Sequence, residues 1–376
     1  MSKRGENIYK RKDGRWEGRY IRFYDGAGKA KYGYVYARTY NDVKRKLLEK
    51  QCLFPNQNNE QVTRGLIYED VLSLWLQSSR INVKESTYAR YNHLIESHIR
   101  PALGKFQLSK MSTQLIEGYV QHLLDCGRID GKGALSPKTV ADVLTIIKGT
   151  MEYARFNNMN LICNLSKISI KKRDKEIRVL SLSEQESLVN TLMNEVDTCK
   201  FGVLLSLYTG IRIGELCALR WENLSMDTGT LKVRETLQRI QETNAAAKSK
   251  TKVIITEPKS QSSIRDIPLP ECILEVAKHF ACSSNAFVLT GDNIRYMEPR
   301  TMQNRFKSYI EKSGIYNANF HALRHTFATR CVELGFEIKS LSEILGHANV
   351  NITLNRYVHS SYELKQDNMK KLTFPA

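Results

Sequence analysis

The chain contains no apolar run approaching the ~18–20 residues needed to cross a bilayer, so no membrane-spanning role is expected. Its first residues, Met-Ser-Lys-Arg-Gly-Glu, lack the apolar core of a secretory leader, which predicts a cytoplasmic protein. Eight cysteines, at positions 52, 126, 163, 199, 217, 272, 282 and 331, include no Cys-x-x-Cys pair. Several stand in apolar helical patterns, as Cys217 does, and they read as reduced core thiols rather than metal ligands. Also missing are a Gly-x-x-x-x-Gly-Lys-Ser/Thr phosphate loop and a carboxylate cluster suited to two metal ions. The segment His321-Ala-Leu-Arg324-His325 has no glutamate after its first histidine, which excludes the two-histidine zinc protease pattern. No metal and no cofactor are expected, and no internal repeat is present.

Basic charge is plentiful. The 376 residues carry 57 Lys and Arg against 39 Asp and Glu, a net of +18. Residues 1–60 hold 15 basic and 7 acidic side chains, so nearly half the excess lies in the first sixth of the chain. A polyanionic partner follows, with nucleic acid ahead of membrane because no basic amphipathic helix adjoins an apolar anchor.

The pattern predicts a multidomain, mainly α protein with small antiparallel β-sheets. In residues 1–55, aromatic and β-branched runs (Arg15–Tyr24, Tyr32–Tyr36) bounded by Asp-Gly turns suggest a three-stranded sheet. A helix from about Asn41 follows, with Val43, Leu47 and Leu48 covering one sheet face. The opposite face, rich in arginine and tyrosine, is suited to a DNA groove, with Arg15 and Arg19 as candidate DNA contacts. Polar residues 51–61 read as a linker. Residues 62–166 carry four helical stripes, the second built on Tyr88, Tyr91, Leu94, Ile95 and Ile99 and ended by Pro101. The basic segment 171–173 is a second linker. Residues 175–376 mix helices with one short antiparallel sheet made of Thr230–Arg234, Val253–Glu257 and Ser263–Leu269.

Chemistry concentrates in this last segment. On a helix, His321, Arg324 and His325 share one face, while Leu323, Phe327 and Cys331 lie opposite. Gly346-His347 follows 22 residues after His325. Arg212 stands after Gly210 at a helix start, where free N–H groups favour an anion, and Glu215 one turn on can hold its guanidinium. Lys259 sits between a strand and the Ser260-Gln-Ser-Ser turn. An asparagine cap would put Thr353 and Tyr357 on one face of the last helix. Any one of these groups alone would read as packing or as a surface ion pair.

Together, TGIRIGEL, HALRHTFAT, LGHANVNITLNRY and the Lys259 hairpin resemble the tyrosine recombinase (phage integrase) family over essentially the whole chain. By this resemblance Arg212, Lys259, His321, Arg324 and His347 match the family's activating groups, and Tyr357 its nucleophile. The four-helix segment, with Leu103-Gly-Lys-Phe-Gln-Leu-Ser-Lys-Met, resembles its core-site DNA clamp, although it ends in Asn164-Leu rather than the frequent Asn-Pro. Residues 1–50 look like the arm-type DNA-binding domain of conjugative-transposon and phage integrases. The resemblance implies a bacterial or phage-encoded, nucleoid-associated recombinase of a mobile element. It would act on double-stranded DNA through a 3′-phosphotyrosyl intermediate, as a tetramer at synapsis, aided by DNA-bending or directionality factors. Tyr357 would attack phosphorus, His321 would assist removal of its proton, and Lys259 would protonate the leaving 5′-oxygen. The tail 360–376 would dock on its own domain or on a neighbouring subunit. A type IB topoisomerase and a non-catalytic DNA-binding regulator are the alternatives.

Overall fold

The computed structural model describes residues 7–24, 30–53, 66–159, 163–171, 177–244, 247, 249–258 and 260–357. Lys259 and the tail 360–376 therefore lie outside the described residues. The chain divides into two compact units, one from residues 1–174 with 241–250, the other from residues 175–240 with 251–376.

The first unit begins with three antiparallel strands in the order β1 (Ile8–Lys10), β2 (Trp16–Tyr24) and β3 (Ala30–Ala37), followed by α1 (Tyr40–Leu53). Pairs such as Gly18↔Val35 and Arg19↔Tyr34 set the register. Alternation then sends residues 18 and 35 to one face and Arg19 and Tyr34 to the other. Ile8, Val35, Val43 and Leu47 form the small core beneath α1. Tyr9, Tyr32, Tyr34 and Tyr36 remain exposed on the open face. Leu48 does not cover the sheet; it packs on the helical core described next. Successive helical residues diverge by about 100°, so Leu47 and Leu48 cannot serve the same surface.

The helical core is built from α2 (Tyr68–Ser79), α3 (Glu85–Leu94), α4 (Thr113–Cys126) and α5 (Pro137–Phe156). Ser112 and Ser136 cap α4 and α5 by accepting from Leu115 N–H and Thr139 N–H. Within the core, Tyr68 and Thr150 share a buried 2.5 Å hydrogen bond between α2 and α5. Pro101 does not end the second stripe. After α3 the rod passes through a π turn at Ile95–Ile99 and continues over Arg100–Leu103. That wider turn restarts the hydrogen-bond register, leaving Pro101 in a first turn, where its missing N–H is tolerated.

In the second unit, Ser181 and Glu184 form a capping box at the start of α6 (Leu182–Met193). The apolar α7 (Thr198–Thr209), with Phe201, Val203, Leu204 and Leu205 buried, runs through the core. Then come α8 (Ile213–Ala218), β4 (Leu224–Ser225), β5 (Thr230–Val233), β6 (Thr236–Gln241), β7 (Thr251–Thr256) and β8 (Arg265–Pro268). Helices α9 (Glu271–Lys278), α10 (Pro299–Lys312), α11 (Phe320–Glu333), α12 (Ile338–Leu345) and α13 (Val350–Tyr357) complete it. The single sheet expected from sequence is two: β4-β5-β8, and a β6-β7 hairpin. β7 is only half-buried along its length and pairs with β6, whose polar sequence TLQRIQ gives little strand signal.

Candidate active site

Helix α7 stops at Gly210, in the left-handed region at φ 67°. A Cβ there would lie 2.7 Å from the Phe327 ring, so only glycine fits. Two residues on, Arg212 caps α8. Its backbone N–H donates to Glu215 Oε2 at 2.9 Å and its Nη1 to Oε1 at 2.8 Å. Glu215 is only 5% exposed, a costly place for a lone charge. Arg265 answers it from β8, with Nη1 donating to Oε1 at 3.2 Å and Nη2 to Oε2 at 2.9 Å. Burial alone would raise the Glu215 carboxyl, but Arg265 and then Arg212 hold it below the usual carboxylate range.

Helix α11 starts at the Asn319 cap and carries His321, Arg324 and His325. Arg324 is 2% exposed and donates from Nη1 to Gly210 O at 2.8 Å and from Nη2 to Leu345 O at 2.7 Å. Burial, then the charges of Arg212 and Arg265, draw its guanidinium down to about 9, which leaves it protonated at neutral pH.

Helix α12 ends at Gly346, also left-handed at φ 66°. A helix leaves its last carbonyls without partners, at the negative end of its dipole. Here three successive carbonyls each receive an arginine. Ile344 O accepts from Arg265 Nε at 2.6 Å, Leu345 O from Arg324 Nη2 at 2.7 Å, and Gly346 O from Arg212 Nη2 at 3.4 Å. The end of α12 thus gathers three arginines.

His347 follows directly. Its Nδ1 lies 2.8 Å from Thr353 Oγ1, and its ring is parallel to Tyr357 at 6.4 Å between centroids. Tyr357 is 5% exposed, and its hydroxyl lies 2.8 Å from Nδ1 of His325. His325 in turn meets His321 edge-on at 4.5 Å. Burial first lowers all three histidines, His325 to about 4 and His347 to about 3; Arg324 follows for His321 and His347, and the His321 ring for His325. The rings are neutral at pH 7, so His325 can accept the Tyr357 hydroxyl proton at Nδ1 in its Nε2–H tautomer. Burial raises the phenol, partly offset by Arg324 and Arg356.

Arg212, Glu215, His321, Arg324, His347 and Tyr357 therefore stand in one neighbourhood of the second unit. Lys259 is outside the described residues. Ser262 O would lie 3.1 Å from a Cβ on Gly346. Three participants were missed. His325, placed with His321 on one face but given no role, is the hydroxyl's partner. Thr353 orients His347. Arg265 shares a strand face with buried Ile267, so period-2 alternation marks it as an inward charge in need of a partner. Arg15 and Arg19 belong to the first unit. Arg15 is held by Asp13 at 2.8 Å, and Arg19 stacks on Tyr32 at 4.4 Å.

An open groove of about 730 Å³ adjoins Arg212 and His321 and is lined by Arg300, Gln303, Asn304 and Lys307 of α10. Guanidinium groups, neutral imidazoles and a phenol beside a cationic groove suit the binding and attack of a phosphodiester.

Residues 178–363 match the phage integrase family, and residues 67–124 match the phage integrase N-terminal SAM-like domain. A XerC-like tyrosine recombinase of Caldanaerobacter subterraneus subsp. tengcongensis is 26% identical over 329 residues, 81% of this chain and 81% of the relative. The ICEBs1 integrase of Bacillus subtilis is 20% identical over 322 residues, 82% of each chain. Among solved structures, the Tn1549 transposon integrase in complex with a circular intermediate DNA matches with a TM-score of 0.64 at 23% identity, covering 81% of this chain and 99% of that one. A lambda integrase dimer bound to a core site matches at 0.56 and 15% identity over 94% of each chain. With both domain families matched in chain order, the chain belongs to the phage integrase family of tyrosine recombinases.

Proposed function

We propose that this site-specific tyrosine recombinase breaks and rejoins DNA through a 3′-phosphotyrosyl bond on Tyr357, as the integration and excision enzyme of a mobile element. The observation that carries the reading is the buried Tyr357 hydroxyl, held 2.8 Å from His325 beside the arginines gathered at the end of α12. Arg212 and Arg324 balance the charge that builds on the non-bridging oxygens; removing one such oriented donor costs about 10²–10³ in rate. With Thr353 donating to its Nδ1, neutral His347 carries its proton on Nε2 and donates to the phosphate. His321 assists removal of the Tyr357 proton, and the hydrogen bond to His325 adds a second imidazole to that task. Lys259 protonates the leaving 5′-oxygen. Because the phosphotyrosyl bond retains the energy for rejoining, neither ATP nor a metal ion enters the cycle. Glu215 supports Arg212.

Double-stranded DNA is the partner, gripped at core sites by residues 62–166 and 175–376 and at arm sites by residues 1–55. The open face of β1–β3, with Arg19 on Tyr32 and Arg15 at its edge, supports arm-site binding. Strand exchange takes place in a tetramer, the arrangement of a solved lambda integrase on a Holliday junction, with DNA-bending and directionality factors setting its course.

The test is covalent capture on a nicked duplex carrying the element's own end, with EDTA present. Wild type is expected to form a protein–DNA adduct that Y357F does not form. Tight binding without adduct on a verified site would favour a DNA-binding regulator instead.

A further inference from the structure

Arg265 uses its guanidinium within the protein. Its side chain is 5% exposed, and the Glu215 side chain facing it 4%. All three of its nitrogens are engaged: Nε with Ile344 O at 2.6 Å, Nη1 with Ser263 O at 3.0 Å and with Glu215, and Nη2 with Glu215 at 2.9 Å. These contacts reach two of the chain segments that present groups to the phosphate, those carrying Arg212 and His347. Through Glu215, whose other bonds fix the backbone and guanidinium of Arg212, it sets one arginine of the site. Through Ile344 O it fixes the end of α12, two peptides before Gly346-His347. Gly346 itself packs on it, since a Cβ there would meet Arg265 Cδ at 3.1 Å. Arg324 bridges the same two segments, between Gly210 O and Leu345 O. One of these two buried arginines has a further task at the phosphate, and the other has none.

Resting on the recombinase reading above, we propose that Arg265 is a positioning residue for strand cleavage. Its planar fork sets the separation between Arg212 and His347, so that both meet the phosphate in its transition state. A lysine keeps the charge but cannot span Glu215, Ser263 and Ile344 at once. A positioning loss should show in the rate of the chemical step and should depend on the charge of the phosphate. Salt and base contacts, made elsewhere, should be unaffected.

The experiment measures single-turnover adduct formation on the nicked element-end duplex for wild type, R265K and Y357F. The scissile linkage is either the ordinary diester or a neutral methylphosphonate. R265K is expected to lose about 10² in rate on the diester, with wild-type DNA affinity, and to come within about tenfold of wild type on the methylphosphonate, which carries no charge for Arg212 to balance. The double variant E215Q/R265M removes both buried charges. It is expected to melt near wild type yet remain slow on the diester, separating position from folding, and it decides the matter if R265K does not fold. Wild-type rates in R265K, equal losses on both linkages, or a fast double variant would overturn the proposal. A wild type that makes no more adduct than Y357F would instead bring down the recombinase reading, and this inference with it.

Discussion

At the site, left-handed Gly210 and Gly346 mark where side-chain chemistry depends on backbone shape. At Gly346, φ is 66° and the space a Cβ would take is bounded by Arg265 and Ser262 at 3.1 Å. Gly346→Ala is therefore expected to cost about 1–2 kcal/mol from the left-handed conformation alone, read as a lower urea midpoint, and to slow cleavage by displacing His347. A variant with both wild-type stability and rate would refute the role given to this turn. The histidines make a pH prediction. His325 is drawn down to about 4 and His347 to about 3 from an ordinary 6.5. Between 6.5 and those values the unfolded chain binds protons that the folded chain refuses, so stability falls as pH drops through that window. Glu215, held low in the fold, adds to the loss at more acid pH. The urea midpoint should fall from pH 7 to pH 5, and by less in H325Q. An identical fall in both would remove His325 as a source.

At the scale of elements, Ser181 and Glu184 close the start of α6 through a reciprocal pair of bonds. Ser181→Ala should destabilise the second unit by about 1 kcal/mol without touching DNA affinity; a larger effect on binding than on stability would contradict that placement. The Ser181-Leu-Ser-Glu184 spacing of this cap is local and so open to sequence reading, although the cap was not among the expected features. Legible from sequence were the stripes of α4 and α5, and the face shared by His321 and Arg324. What stayed hidden depends on distant partners. Pro101 reads as a stop until the π turn before it is known, and β6 was not among the expected strands because only pairing with β7 marks it. The same holds in the site. Motif spacing brought out Arg212, His347 and Tyr357, but the pairing of Glu215 with Arg265, fifty residues on, comes only from the fold. His325 was visible on its helix face; only the placement of α13 gave it the Tyr357 hydroxyl.

For the molecule as a whole, the +18 charge predicts binding that weakens steeply with salt. The groove beside the site gives that field a location. R300A/K307A should reduce the slope of log affinity against log salt by about 2 if each side chain neutralises one phosphate; an unchanged slope would place the DNA elsewhere. On the open sheet face, R19A should weaken binding to arm-site duplexes while leaving cleavage of nicked core duplexes intact, and a loss on core duplexes alone would contradict the assignment.

Cleavage by a tyrosine recombinase is defined by which atom becomes joined to DNA, and in which polarity. The direct measurement is to trap the adduct, digest it with nuclease and protease, and locate the nucleotide-bearing residue by mass spectrometry while labelling the released DNA end with a 5′-kinase. The prediction is a 3′-linked nucleotide on Tyr357 and a free, labelled 5′-hydroxyl. A nucleotide on Tyr362 or Tyr316, or a 5′-linked adduct with an unlabelled end, would contradict it.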